Sequence, residues 1–284
     1  MDLRMKSSRQ AIWIVGLMLT MVAVWSVFRP LLPHSELAEN NFQANLIRLQ
    51  AWQLDPHPAT VLVGSSITGR LLPRYFTGTP LGTVANLGLD GSGPEAGLRL
   101  LLQSSNLPPV VLIEGHRLAK NWSTNDDLLL AAIHDPQFTA SRWVTALRAD
   151  VRPSSILFSL LKSHSGGGSV ADASQDSSSH LVAETPIPGW EERMRLLIDQ
   201  LRQHGTEICL YRLPVGRENL PSDGAPDFIS DLAWKWGIPY LDVDRECKRR
   251  GLVPTYTDGL HMTPASARET AIVLAELTAK LPRR

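Results

Sequence analysis

No sign of charge dominates this sequence: 28 Lys and Arg balance 28 Asp and Glu across 284 residues. A nucleic-acid binder would show a basic excess or patch, so that class is set aside. Aromatic residues make up only 6% of the chain, which removes the stacking platform used by single-strand binders. Cysteine is nearly missing. Cys209 and Cys247 are the only two, and neither has metal-ligand spacing. Nor do His34, His57, His134, His164, His180 and His204 form paired ligand spacings. No zinc site is therefore expected, and no metal or organic cofactor. Cys209 lies in the apolar run Ile208-Cys209-Leu210-Tyr211. A disulfide to Cys247 and a buried thiol both fit that setting. No internal repeat is visible.

One long apolar run is present. Ala11 to Phe28 is uncharged and about 18 residues long, which at ~1.5 Å per residue just crosses a hydrocarbon core. Arg4, Lys6 and Arg9 precede it. The excess of positive charge on that side predicts a cytoplasmic tail over 1–10 and a single-pass anchor over 11–28. The main domain is then expected outside the cytoplasmic membrane, in a periplasmic or extracellular setting. A cleaved signal peptide is the rival reading, but the run is long for one and Phe28-Arg29-Pro30 is a poor cleavage site. Residues 29–57 read as a linker. Pro30 and Pro33 stiffen its start, and Ser35 can cap a helix reaching about Trp52. Phe42, Leu46 and Leu49 recur there at helical spacing, which suits a stalk or a helix packed on the domain.

From residue 58 to 284 short apolar segments alternate with helical patterns. Ala59–Val63, Thr83–Leu87, Pro109–Glu114, Glu207–Leu213 and Pro239–Val243 read as strands. Pro94–Ser104, Trp190–His204, Asp227–Trp236 and Pro264–Leu281 read as helices. Ala140–Leu161 also looks helical, with Pro153 interrupting. Ser163–Ser179 is rich in Ser, Gly and Asp and reads as a flexible insertion, because it has too little apolar surface to offset its ordering entropy. The expected architecture is α/β: a three-layer α/β/α sandwich around a parallel sheet of about five strands. Ligands of such sheets bind beyond the carboxyl ends of the strands.

Four segments there carry chemistry. Gly64-Ser65-Ser66 ends the first strand and opens a helix, so a serine hydroxyl would sit beside free N–H groups that can stabilise an oxyanion; a plain helix cap is the alternative. Asn86-Leu87-Gly88-Leu89-Asp90-Gly91-Ser92-Gly93 lets backbone approach a ligand, but matches neither a dinucleotide fingerprint nor a P-loop. Glu114-Gly115-His116-Arg117 follows the third strand, and His116 can donate to an oxyanion. In Asp258-Gly259-Leu260-His261, Asp258 can fix the tautomer of His261 and leave its other nitrogen as a base.

Taken together these segments resemble the SGNH hydrolases, the GDSL-type esterase and acyltransferase superfamily, over about Ala59 to Leu281. The resemblance implies Ser66 as nucleophile, Asp258 and His261 as the rest of the catalytic triad, and an oxyanion hole built from Ser66, Gly91 and His116. Two positions depart from the family pattern. Ser65 stands where the common motif has aspartate, a Gly-Ser-Ser variant that looks like membrane-anchored members handling cell-envelope polymers. His116 stands where the family has asparagine. The expectation is an anchored serine esterase or O-acyltransferase acting on acyl or acetyl esters of an envelope or exported polysaccharide. A transferase of this kind would work with a polytopic membrane protein supplying the acyl group. A catalytically silent domain serving as an anchored scaffold is the alternative, and Ser65 remains a second candidate nucleophile.

Overall fold

Five segments in which nearly every residue is apolar form the centre of the protein. They are β1 (Thr60–Ser65), β2 (Val84–Leu89), β3 (Val110–Glu114), β4 (Glu207–Arg212) and β5 (Tyr240–Asp242). Strands of this kind lack a polar face and are stable only when covered on both sides. The computed structural model describes residues 2–28, 40–54, 58–104, 106–151, 187–216 and 228–282, with backbone alone for 2–9 and 11. Among them the five strands form one parallel sheet in the order β2-β1-β3-β4-β5. The chain thus leaves β1 for one neighbour and then crosses to the other, which opens a crevice at the carboxyl ends of β1 and β3.

Side chains alternate along each strand into two cores. Val61, Val63, Leu87, Val111, Ile113 and Leu210 face one. Leu62, Leu112, Cys209, Tyr211 and Leu241 face the other. The first core is covered by α2 (Asn41–Leu54), α4 (Pro94–Leu102), α5 (Thr124–Ala132), α7 (Trp190–Gln203) and α8 (Phe228–Trp236). The second is covered by α3 (Ser66–Gly69), α9 (Val243–Arg249) and α10 (Pro264–Ala279). This is the expected sandwich. Each fully buried leucine, Leu62 and Leu112 among them at 0% exposure, contributes about 1.5–3 kcal/mol through its removal from water.

Several local expectations change. The strand before the serines runs on through Gly64 and Ser65. Helix α5 was not anticipated, although Ser123 and Asp126 form a reciprocal capping box at its start. The helix expected over Ala140–Leu161 is not formed in its described part. A short α6 (Pro136–Ala140) gives way to 3-10 turns at Thr145–Leu147 and Ala149–Val151. There the Ala149 N–H donates to Gln50 Oε1 (2.7 Å). The rest of that segment and the insertion at 163–179 lie outside the described residues.

Of the linker expected over 29–57, the described helix α2 is packed on the domain. Asn45, Leu46, Leu49 and Gln50 are all buried, and Leu46 and Leu49 join the first core. Cys209 and Cys247 are free, buried thiols, so the disulfide reading falls. Burial pushes the Cys209 thiol up to about 12 and the Cys247 thiol up to about 11.

The spanning helix expected over 11–28 gains no support from the described fold. Among the described residues no helix is long and apolar enough to cross a membrane. Residues Asp2–Phe28 do form one helix, α1. Its described apolar side chains start at Ile12, and Ile12, Trp13, Ile14 and Val15 are each at least half exposed. Toward its end Trp25 Nε1 donates to Val151 O at 2.9 Å, which ties the helix to the domain.

Candidate active site

The serine segment becomes a tight turn because β1 stops against a carboxyl. Glu114, the last residue of β3, is fully buried. Its Oε2 accepts the Ser65 N–H (2.8 Å), the Thr68 N–H (3.3 Å) and the Thr68 hydroxyl (2.6 Å). The Ser65 hydroxyl lies 2.9 and 3.0 Å from the two carboxyl oxygens. Ser65 Oγ also accepts the Ile67 N–H at 3.3 Å, so Ser65 caps α3. Gly64 makes this approach feasible: a Cβ there would stand 2.5 Å from Glu114 Oε2 and 2.7 Å from Glu114 Cβ. From the other side Asn86 Nδ2 donates to Thr68 O (2.8 Å) and Leu71 O (2.6 Å).

This leaves the two serines with different surroundings. Ser65 is 3% exposed and its hydroxyl faces Glu114. Ser66 is half-buried, and its Oγ lies 2.8 Å from His261 Nε2. His261 Nδ1 lies 2.6 Å from Asp258 Oδ2. A carboxylate only accepts, so Nδ1 carries the proton and Nε2 is left to accept from the Ser66 hydroxyl. The three side chains, 195 positions apart in the chain at their widest, thus form one continuous hydrogen-bonded line.

The loop that delivers His261 is built from its own sequence. Tyr256 and Met262 pair across it, and the Thr257 N–H donates to His261 O (2.9 Å). Asp258 Oδ1 accepts the backbone N–H groups of His261 (2.7 Å) and Leu260 (3.1 Å). Leu260 and Met262 are buried in the second core, and Thr263 caps α10 directly afterwards. Desolvation, the largest influence on Asp258, pushes its carboxyl upward. The hydrogen bonds from the His261 ring and backbone, the charge of His261 and the Leu260 N–H outweigh it, and the carboxyl titrates below its ordinary value.

The register Ser65↔Leu89 brings the Asp90-Gly91 turn alongside Ser66. Helix α2 holds that turn in place. Asn45 Nδ2 donates to Asp90 O (2.9 Å), Asn45 Oδ1 accepts the Asp90 N–H (2.7 Å), and Arg48 pairs with the Asp90 carboxylate at 3.1 Å. Gly91 adopts φ +78°, a left-handed conformation that favours glycine. Among the described residues no acceptor is found for its N–H. His116 is placed differently. Its Nε2 lies 2.7 Å from Leu213 O, so Nε2–H is given to that carbonyl. A neutral ring has no second N–H, so the expected oxyanion contribution of His116 is not offered by this arrangement. The helix after Ser66 is also a single turn, Ser66–Gly69, and brings little dipole to the site.

The residues that support the site from beneath, Glu114, Thr68, Tyr211, Asn45 and Arg48, escaped the sequence reading. One of them had a visible signal: a glutamate closing the otherwise apolar run Pro109-Val110-Val111-Leu112-Ile113-Glu114. Among the described residues no cluster of His, Cys, Asp or Glu is arranged to hold a metal ion.

No family model matches this sequence, and no curated protein does. Among solved structures, one similar to this chain is the crystal structure of a protein described as a "putative acylhydrolase" from Bacteroides fragilis NCTC 9343. It is 17% identical over 81% of this chain and 92% of its own, with a TM-score of 0.36. So loose a likeness leaves the functional reading to the chain's own geometry.

Proposed function

We propose that this protein is a serine esterase or O-acyltransferase that works through an acyl-enzyme on Ser66. The observation that carries the reading is the unbroken line Asp258–His261–Ser66, at 2.6 and 2.8 Å. Ser66 Oγ attacks the carbonyl carbon of an acyl ester as its proton passes to His261 Nε2. Asp258 holds the ring in the right tautomer and offsets the positive charge the ring acquires. The Gly91 N–H, with the backbone of Ser66, faces the oxygen on which charge develops. His261 then returns its proton to the leaving alcohol. Water or an acceptor hydroxyl attacks the acyl-serine in the second half, giving hydrolysis or transfer. No organic cofactor takes part in this scheme.

The substrate is an acyl or acetyl ester on an envelope or exported polysaccharide, and the domain sits outside a membrane anchored by α1. The anchor is favoured by the consecutive exposed apolar residues Ile12 to Val15, which leave no polar face on that part of the helix. It is favoured also by the basic residues Arg4, Lys6 and Arg9 before it. The substrate class rests on the resemblance of the Gly-Ser-Ser variant to anchored envelope enzymes. A transferase would receive its acyl group from a polytopic membrane partner.

The engagement of His116 with Leu213 favours a second reading, a catalytically silent scaffold in envelope polymer assembly. A burst of p-nitrophenol from p-nitrophenyl acetate, compared between wild type, Ser65→Ala, Ser66→Ala and His261→Ala, separates the two. The enzyme reading expects a burst that survives Ser65→Ala and is lost in the other two. A folded wild type with no burst would support the scaffold.

A further inference from the structure

We infer that Glu114 is a positioning residue for the nucleophile: its carboxyl, fixed beneath the β1–α3 turn, aims Ser66 Oγ at His261. The inference rests on the reading of Ser66 given above. Among the described residues Glu114 makes no hydrogen bond to Ser66 or His261. It grips the residues on either side of the nucleophile instead, Ser65 through N–H and hydroxyl and Thr68 through N–H and hydroxyl. With both brackets held, Ser66 and Ile67 have little freedom between them, and the Ser66 hydroxyl is left for His261.

The network runs in one direction. Thr68 Oγ1 gives its proton to Glu114 (2.6 Å), so in its 2.6 Å contact with the Tyr211 hydroxyl it must accept. Tyr211 is fully buried, and desolvation, followed by the charge of Glu114, pushes its phenol well above the ordinary value. It therefore remains a donor. Every group around the Glu114 carboxyl offers a hydrogen, which suits an acceptor-only side chain and no other of that shape. A buried carboxyl without full satisfaction is costly, and Gly64 lacks the Cβ that would exclude it. Ser65 Oγ accepts the Ile67 N–H, while the Thr68 N–H goes to Glu114 on the neighbouring strand.

The test uses the full-length protein in detergent, with fluorophosphonate labelling rates measured from pH 5 to 9 beside thermal melting. Glu114→Gln keeps the shape but turns an NH2 group toward donors. The expected result is a folded protein labelled on the order of 100-fold more slowly, with the pH inflection unmoved and the KM for p-nitrophenyl acetate unchanged while kcat falls. Ser65→Asp combined with Glu114→Gln moves the carboxylate across the same hydrogen bonds, where it can accept from Ile67 and Thr68 as an N-cap. That double variant is expected to regain at least about tenfold. A folded Glu114→Gln protein labelled at the wild-type rate overturns the inference while leaving Ser66 as nucleophile. A loss explained wholly by a displaced pH inflection also overturns it. If Glu114→Gln does not fold, Thr68→Val decides: slowed labelling supports the inference and an unchanged rate refutes it. A wild-type protein that never labels removes the functional reading and the inference with it.

Discussion

The two halves of the candidate triad are held in opposite ways. Ser66 stands on a turn braced from the core, by Glu114 on β3 and by Asn86 on β2. His261 stands on a half-exposed loop braced by its own residues, with Asp258 serving as both turn former and ring partner. The nucleophile is therefore placed by tertiary structure and the base by local structure.

Breaking either half at the reacting atoms gives the largest effects. Ser66→Ala and His261→Ala are each expected to lower the acylation rate by at least about 1,000-fold without unfolding the protein, measured by burst kinetics beside circular dichroism. Asp258→Asn keeps the loop acceptor but turns an NH2 group toward the ring, and the wrong tautomer is expected to cost up to about 10,000-fold. Gly64→Ala attacks the braced half alone. Its Cβ would meet Glu114 at 2.5 Å, so thermal melting should show a loss of about 1–3 kcal/mol, with labelling reduced in the folded fraction.

Smaller effects sharpen the comparison. Asn45→Ala removes the backbone partner of Asp90 and loosens the Gly91 turn. Labelling should fall about 3- to 10-fold, with a stability loss of about 1–3 kcal/mol from the unsatisfied buried N–H. The smallest signal is acid dependence in the self-braced loop. The Asp258 carboxyl titrates below its ordinary 3.8 in the folded state, so the folded protein binds fewer protons there than the unfolded chain. Its stabilisation is complete above 3.8 and is lost as pH falls through the lower folded value. The difference in melting temperature between wild type and Asp258→Asn should accordingly be present at pH 7 and close in strong acid.

The same contrast explains what the sequence could reveal. The sheet was legible because doubly covered strands leave continuous apolar runs such as Val61-Leu62-Val63. Asp258 and His261 were legible because their partnership spans three positions. Ser66 was legible only through its resemblance and its place after a strand. Glu114, Asn45 and Arg48 were not, because their roles arise from the order β2-β1-β3 and from the docking of α2, which no local pattern encodes. The engagement of His116 was hidden for the same reason: its Nε2 meets Leu213 O, 97 residues away. The segment after Ala140 was read as a helix because its composition allows one, whereas Gln50 from α2 captures its backbone instead.

The most direct test of the central claim is peptide mapping by tandem mass spectrometry of full-length protein after fluorophosphonate treatment. The account predicts a single covalent adduct on Ser66 that disappears when His261 is replaced by alanine. An adduct on Ser65, or one on Ser66 that forms equally well without His261, would contradict it.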